Sequence, residues 1–243
     1  MALPAAFLEH LRLEGYHPRS NKHSNSLALS IARDLAMICP SIRAKASAGE
    51  VVYDLNFDLH VRTASWNVDL VVGRSSERQP PEDQPISRGR PVTIEIAVEI
   101  KSVMTEHRKA IKNRKRDLEA HHEHVHHYDQ QAIAGGVFVV NQAMTFKSPL
   151  RPSPTVHGKD RRATVSLVEH CLSEMRNVSE RTDTSGYGLE AKCFIVLDMD
   201  NQNLASTAYV ERQPAPLTGD PLNYDSFLQR LCDYYERRFP LRI

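Results

Sequence analysis

Two charged residues, Glu99 and Lys101, stand two positions apart in an otherwise apolar segment. In this segment Ile94, Ile96, Val98 and Ile100 alternate with Glu95, Ala97, Glu99 and Lys101. Such alternation predicts a β-strand, in which residues i and i+2 point to the same face. A carboxylate and an ammonium on one face could serve a hard divalent cation and a nearby water or phosphate, provided that a second carboxylate lies at the same level.

Asp69, in an upstream segment of the same character, is the candidate for that second carboxylate. Residues 66–72 read Trp-Asn-Val-Asp-Leu-Val-Val, a short predicted strand with one acid among apolar neighbours. A carboxylate in such a strand needs a partner, because burying an unpaired charge is costly. We therefore predict that Asp69, Glu99 and Lys101 come together in one site.

Asp69 followed on the next strand by Glu99-Ile100-Lys101 resembles the PD-(D/E)XK nuclease superfamily, which includes many restriction endonucleases and recombination or repair nucleases. The resemblance covers residues 27–141, and Val68 stands where the motif's name has proline. It implies an α/β fold with a restriction-endonuclease-like core, a central mixed β-sheet flanked by helices. It also implies a Mg²⁺-dependent endonuclease, of restriction or defence type, that hydrolyses DNA phosphodiester bonds and accepts Mn²⁺ as a substitute.

The resemblance also assigns roles to the site residues. Asp69, Glu99 and the backbone carbonyl of Ile100 would hold the metal, and Lys101 would position the attacking water or offset negative charge. A further acid often joins such sites, and the candidates here are Asp34, Glu50 and Glu95, the last because the alternation places it on the face of Glu99. A homodimer is expected, because cutting both DNA strands needs two sites.

The predicted elements agree with this order. Helices are predicted over residues 5–13, 27–38, 106–129, 163–176 and 224–238, and strands over 51–61, 66–72, 93–101, 137–140 and 193–197, with a hairpin turn at 63–65. The strand, helix and apolar strand from residue 93 to 140 predict a right-handed crossover between parallel strands. We expect one nuclease domain over residues 1–243 with a proline-rich loop insertion at about 73–91, which cannot build a core.

The first half of the helix at 106–129 is strongly basic. Lys112, Lys115 and Arg116 are its candidate contacts to nucleic-acid phosphates, and a solvated helix face is an equally good interpretation of the same run. The chain as a whole has a net charge of only +1. A nucleic-acid footprint must therefore be local.

The second half of this helix contains a run of histidines. His122-Glu123 and His126 satisfy the H-E-x-x-H pattern of zinc peptidases, which is an alternative function. His124 and Tyr128 resemble a polar residue and a tyrosine that some superfamily members carry at this spacing. Helix rise places this run about 30 Å along the axis from the helix start, so we expect it to lie away from the metal site.

Two further alternatives concern the site itself. Glu190-Ala191-Lys192 is a second Glu-x-Lys triplet, but no aspartate in a predicted strand precedes it closely. The chain could also be a DNA-binding or partner-binding module that keeps the fold without cutting. The presence of all three site residues favours the enzyme.

Composition adds a few exclusions. The four cysteines are scattered without a CxxC pair, which argues against a zinc ribbon or a disulfide framework and predicts reduced apolar fillers. The sequence shows no apolar run of membrane-spanning length and no export signal. A cytoplasmic protein without membrane contact is the expectation.

Overall fold

The computed structural model describes residues 3–61 and 64–241. Its helices are α1 (Ala5–Glu14), α2 (Lys22–Ile38), α3 (Pro40–Ser47), α4 (His107–Tyr128), α5 (Arg161–Arg176) and α6 (Tyr224–Arg238). Its strands are β1 (Val51–Val61), β2 (Ala64–Arg74), β3 (Ile96–Val103), β4 (Ile133–Asn141), β5 (Thr145–Phe146), β6 (Thr155–Val156), β7 (Ala191–Asp198) and β8 (Ala208–Tyr209). No described helix combines the length and the apolar character that crossing a membrane requires.

Six strands form one mixed sheet in the order β1-β2-β3-β4-β7-β8. The β1–β2 and β2–β3 pairs are antiparallel, the β3–β4 and β4–β7 pairs are parallel, and β8 returns antiparallel on β7. The predicted crossover between parallel strands is therefore confirmed. The predicted hairpin turn falls partly on residues 62–63, outside the described part, and Ser65 already pairs with His60 in the hairpin.

Helices cover both faces of the sheet, so the fold is an α/β sandwich of three layers. On one face α1, α2, α3 and α6 enclose a core that includes Leu35, Val98 and Phe227. On the other face α4 and α5 enclose a second core that includes Leu118 and Val168. The central strands are thus buried on both sides, which is typical of parallel strands flanked by crossover helices.

Strand β4 begins earlier than the apolar run predicts, and it includes Gly135 and Gly136. A Cβ built on Gly136 would lie 2.6 Å from Leu189 Cδ1 and 3.1 Å from Leu118 Cδ1. Glycine here permits close packing of α4 on the sheet. The glycine pair, which the sequence suggests is a break, is therefore part of the strand.

The proline-rich segment between β2 and β3 also departs from expectation. Ile86 is buried within the core next to β1. Tyr53 N–H donates to Ser87 O at 3.1 Å, and Gly89 N–H donates to Tyr53 O at 2.9 Å. Ile86 thus contributes to the core although the composition of the loop predicts that it cannot build one, because backbone pairing with β1 supplies a strand-like contact that side-chain composition does not reveal.

Candidate functional site

The predicted site lies where two neighbouring strands separate. β2 and β3 pair only through Leu70–Val72 and Ile96–Val98, although β2 starts at residue 64 and β3 continues to residue 103. Beyond this short ladder the strands diverge and leave a gap in the sheet. Asp69 and Glu99 are the first residues past the ladder, one on each strand.

Asp69 spans the gap. Its Oδ2 accepts a hydrogen bond of 2.7 Å from the backbone N–H of Ile100. The N–H and C=O of one strand residue point to the same side, so the Ile100 carbonyl also faces β2. The structure thus brings together the Asp69 carboxylate, the Ile100 carbonyl and the Glu99-Lys101 pair, as the sequence predicts.

Glu99 has one oxygen paired and one without a partner. Its side chain is 2% exposed, and its Oε1 forms an ion pair with Lys101 Nζ. Its Oε2 makes no hydrogen bond, and the nearest ionisable partner is His121 Nδ1 at 3.9 Å. A buried carboxylate oxygen without a donor is unfavourable, so this atom is suited to receive a ligand.

The negative charges of the Asp69 and Glu99 carboxylates repel each other. Burial and the nearby Asp69 carboxylate raise the pKa of Glu99 to about 8, against the lowering effect of Lys101. Burial also raises the pKa of Asp69, against the lowering effects of the Ile100 N–H and Lys101. A cation between the two carboxylates would favour their charged forms, and their oxygens together with the Ile100 carbonyl are hard ligands of the kind that Mg²⁺ prefers.

His121 is a site neighbour that sequence reasoning missed. It is fully buried on α4, and its Nε2 lies 3.3 Å from Ala97 O. A carbonyl can only accept, so Nε2 carries the hydrogen and the unprotonated Nδ1 faces Glu99. Burial lowers the pKa of His121 to about 3, which keeps the ring neutral.

The expectation that the histidine run lies away from the site is therefore wrong for His121. Helix α4 packs over β3 and runs antiparallel to it. Its axial rise therefore brings the chain back towards the start of β3 instead of carrying it further away. The helix begins with His107 near Asn141 O, at 2.7 Å, and has returned to the level of Ala97 by residue 121. A contact between residues 99 and 121 follows from this path.

His124 and Tyr128, the pair suggested by resemblance, lie elsewhere on α4. The His124 ring stacks on Trp66 with a centroid separation of 4.9 Å. Tyr128 is exposed beside Phe57 and Arg90. Of these three residues of α4, it is His121 that faces Glu99, with its Nδ1 3.9 Å from Oε2.

The two histidines of the H-E-x-x-H pattern face a different part of the molecule. His122 and His126 are buried, whereas Glu123 between them is exposed. His126 Nε2 lies 3.3 Å from Glu190 Oε2, and that carboxylate also meets Arg181 and Arg238. Two guanidinium groups disfavour a metal cation here, and the glutamate that the pattern needs as general base does not share the buried environment of the histidines.

The candidates for a further acid are engaged elsewhere. Asp34 accepts a 2.7 Å hydrogen bond from Tyr224 on α6, and Glu50 pairs with Arg78 at 3.6 Å. Glu95 accepts a 2.5 Å hydrogen bond from Tyr235 on α6. The prediction that Glu95 shares a face with Glu99 is wrong, because β3 begins at Ile96 and the alternation does not extend back to Glu95.

The basic half of α4 divides into two sides. Lys112 and Arg116 are exposed, and Lys115 pairs with Glu174 on α5 at 3.4 Å. Lys109 and Arg114, on another side, line a cavity of about 240 Å³ that also contacts Ser102, the neighbour of Lys101. A larger cavity of about 720 Å³ is lined by Lys45, Arg74 and Arg78 and includes none of the predicted site residues.

Comparisons with known proteins identify no relative of this chain. The chain matches no family model, no curated protein and no solved structure. The gap between β2 and β3, with its two carboxylates and one lysine, is the arrangement from which a function has to be inferred.

Proposed function

We propose that this chain is a metal-dependent endonuclease of the PD-(D/E)XK type that hydrolyses DNA phosphodiester bonds. The observation that carries the proposal is the 2.7 Å hydrogen bond between Asp69 Oδ2 and the Ile100 N–H. This hydrogen bond holds the Asp69 carboxylate next to Ile100, the strand residue between Glu99 and Lys101. Three residues that lie apart in sequence thereby share one gap in the sheet.

The order of elements supports a restriction-endonuclease-like core. Helix α2, the β1–β2 hairpin, the Glu-x-Lys strand β3, helix α4 and the parallel strand β4 follow one another in the chain. This is the succession that the resemblance implies. β2 and β3 also stop pairing at the positions that carry the acidic residues, and the Lys101 side chain beside them is 21% exposed.

Asp69, Glu99 and the Ile100 carbonyl would hold Mg²⁺, or Mn²⁺ in its place. When bound, the ion would lower the pKa of a water molecule and stabilise charge on the reacting phosphate. The fit rests on the unpartnered Oε2 of Glu99 and on the raised pKa values of both carboxyl groups. A cation between the two carboxylates would relieve each of these unfavourable features.

Lys101 and His121 would act on either side of Glu99. Lys101 pairs with Oε1 of Glu99, and its ammonium can turn to a phosphate oxygen or hold a water once the carboxylate binds elsewhere. His121 faces Oε2 with an unprotonated nitrogen and is anchored by Ala97 O. We assign His121 a positioning role, since it limits the rotamers that the Glu99 side chain can adopt.

DNA would reach the site along α4. The cavity beside Ser102 offers Lys109 and Arg114, and the exposed Lys112 and Arg116 extend the positive charge along the helix. Lys115 contributes less to this surface, because Glu174 offsets its charge. Cutting both strands would need two sites, so we propose a homodimer of restriction or defence type.

The decisive experiment incubates the purified chain with supercoiled plasmid, linear duplex, single-stranded DNA and RNA, in Mg²⁺, Mn²⁺ or EDTA. We expect metal-dependent nicking or cutting of duplex DNA, and mapping of the products would define their 5′ and 3′ ends. This activity should be absent from Glu99→Gln. Glu123→Gln is the matched control, because it alters an exposed glutamate on the neighbouring helix. Its activity should equal that of the wild type.

Three results would count against the proposal. Binding of DNA without cutting in any metal would support the binding module instead. Activity lost in Glu123→Gln and kept in Glu99→Gln, together with bound zinc and cleavage of a protein substrate, would support the peptidase. Cleavage of RNA alone would retain the site assignment and change the substrate class.

A further inference from the structure

A second group of metal-ligating side chains lies at the junction of α2, α3 and α6, apart from the proposed nuclease site. Its members are Cys39, Cys232 and Glu236, and their ligand atoms all lie within 4.8 Å of one another. Within the described ranges 3–61 and 64–241, no other three His, Cys, Asp or Glu residues meet this condition. The tertiary structure assembles this group, since Cys39 and Cys232 are far apart in sequence.

Local structure explains how the three side chains meet. Cys39 is the single residue between the end of α2 and the start of α3. Cys232 and Glu236 are four positions apart on α6 and therefore share one face of that helix. α6 packs against both α2 and α3, so this face is held opposite Cys39.

The spacing suits a tetrahedral zinc ion. Zinc bonds of about 2.3 Å to sulfur and about 2.1 Å to oxygen place sulfur and oxygen ligands roughly 3.6 Å apart and two sulfurs roughly 3.8 Å apart. Cys39 Sγ and Glu236 Oε1 are 3.5 Å apart, and Cys232 Sγ falls within the 4.8 Å limit of both. Small side-chain adjustments would complete three sides of the tetrahedron.

Burial and the neighbouring Cys232 and Glu236 groups raise the pKa of the Cys39 thiol, a cost that a zinc ion between the three side chains would offset. Other neighbouring groups favour the anionic ligands and the cation. The first turn of α3 directs N–H groups at the cluster, and Ser41 N–H donates to Glu236 Oε1 at 2.8 Å. The Ile42 N–H and the Lys45 ammonium also stabilise negative charge on Cys39 and Glu236 respectively. Cys232 and Glu236 lie in the last turns of α6, where the helix dipole favours a positive ion.

We propose that Cys39, Cys232 and Glu236 form a structural zinc site that fastens α6 to the α2–α3 junction. Two thiols lose their protons to solvent on binding, and the fourth position is open to the Ser41 hydroxyl or to a water. Thiolate ligands select zinc over Mg²⁺, so this site and the nuclease site would take different ions. For Cys39 and Cys232 the proposal replaces the expectation that all four cysteines are apolar fillers.

The proposed zinc site would stabilise helices that support the sheet at the proposed nuclease site. Helix α2 carries Ser24 beside Asp69, and α6 carries Tyr235, which holds Glu95 just before β3. A metal joining these helices would fix two supports of the same sheet. Its loss should therefore lower stability without removing any proposed ligand of the catalytic ion.

The test measures metal content and the spectrum of the cobalt-substituted protein. The full chain is purified with a reductant and without chelator, and zinc is quantified per chain. We expect one zinc per chain, and on replacement by Co²⁺ a thiolate-to-cobalt charge-transfer band. Cys39→Ser and Cys232→Ser should each remove the band, while Glu99→Gln should leave it unchanged.

Two further variants keep the result interpretable if a cysteine variant fails to fold. Glu236→Gln can still accept from Ser41 and should weaken zinc affinity at least about 10-fold. Cys171→Ser alters a buried cysteine on α5 and should retain full zinc content. Absence of the charge-transfer band in the wild type, a band of full strength in Cys39→Ser, or an unchanged zinc affinity in Glu236→Gln would overturn the proposal.

Discussion

The chain carries two Glu-x-Lys triplets on strands of the same sheet, and the structure places them in opposite circumstances. Glu99 and Lys101 pair with each other, and one Glu99 oxygen has no partner. Glu190 and Lys192 do not pair with each other, because each is surrounded by other groups. The same three-residue pattern thus gives one arrangement that we propose is reactive and one that is structural.

The second triplet lies in a network of ion pairs and hydrogen bonds, although the Oε1 atom of Glu190 accepts no hydrogen bond. Glu190 is fully buried and meets Ala134 N–H at 2.8 Å, Arg238 at 2.8 Å and Arg181 at 3.4 Å. Lys192 Nζ donates to the carbonyls of Arg176 and Val178 at 2.9 and 3.0 Å and pairs with Glu180 at 2.9 Å. It therefore satisfies carbonyls at and just beyond the end of α5.

The pKa values of the two glutamates are shifted in opposite directions. His126, the Ala134 N–H and Arg238 together outweigh burial and lower the pKa of Glu190. Burial and Asp69 raise the pKa of Glu99 to about 8. A buried carboxylate with its partners in place stabilises the fold, whereas one that lacks them and lies at a gap between strands is a candidate for binding and catalysis.

The largest effect should come from removing the ion pairs of Glu190. Glu190→Gln leaves Arg181 and Arg238 buried without their carboxylate, and we expect a loss of about 3–5 kcal/mol in the free energy of unfolding. Urea denaturation at pH 7.5 would measure it. A loss no greater than that of an exposed substitution such as Glu123→Gln would contradict the structural role given to Glu190.

The opposite pattern is expected for Glu99→Gln and Asp69→Ala. Each removes a proposed ligand and one of two opposed carboxylates, so DNA cleavage should fall roughly 10²–10³-fold or more while the fold is retained. Single-turnover cleavage and circular dichroism would be measured together. Full cleavage in either variant would show that the gap between β2 and β3 is not the active site.

Lys101→Ala should have a smaller effect of a distinct kind. The ammonium is not a metal ligand, so we expect a loss of activity on the order of 10–10²-fold with metal affinity preserved. Calorimetric titration with Mn²⁺ would test the second part. Loss of Mn²⁺ binding together with activity would assign Lys101 to holding Glu99 in place and not to chemistry.

A further effect is a pH dependence of stability in metal-free buffer. The folded state raises the pKa of Glu99 from 4.5 to about 8, so it binds the proton more tightly than the unfolded state does. The stabilisation from this group is therefore complete below pH 4.5 and is lost as the pH rises through 8. Glu99→Gln removes this loss.

We expect the free energy of unfolding of Glu99→Gln, relative to the wild type, to rise by up to about 4 kcal/mol between pH 5 and pH 8.5. Taking the difference between the two proteins cancels the contribution of the buried histidines. Saturating Mg²⁺ should stabilise the wild type at pH 8.5 and leave the variant little changed. A difference that does not vary with pH would show that Glu99 titrates normally.

Most of the elements could be predicted from the sequence, because they follow from local periodicity. The alternation at Val51–Val61 and the helical spacing at Tyr224–Arg238 give the observed bounds. Helix α3 was missed because it has only eight residues and begins at a proline, which ends the preceding helix and starts the next. The strand-like contact at Ile86 was missed because it depends on backbone pairing with Tyr53 and not on side-chain pattern.

The sequence by itself determined which residues could do chemistry, since a buried strand that carries an acid or a Glu-x-Lys triplet is visible in the order of residues. Only the tertiary structure decided which glutamate is surrounded by guanidinium groups, because the partners of Glu190 come from α4, β4, α6 and the segment after α5. It also placed His121 over Glu99 and Cys39 beside Cys232. Such contacts arise from how helices return across a sheet, and residues distant in sequence meet there for reasons that no local pattern contains.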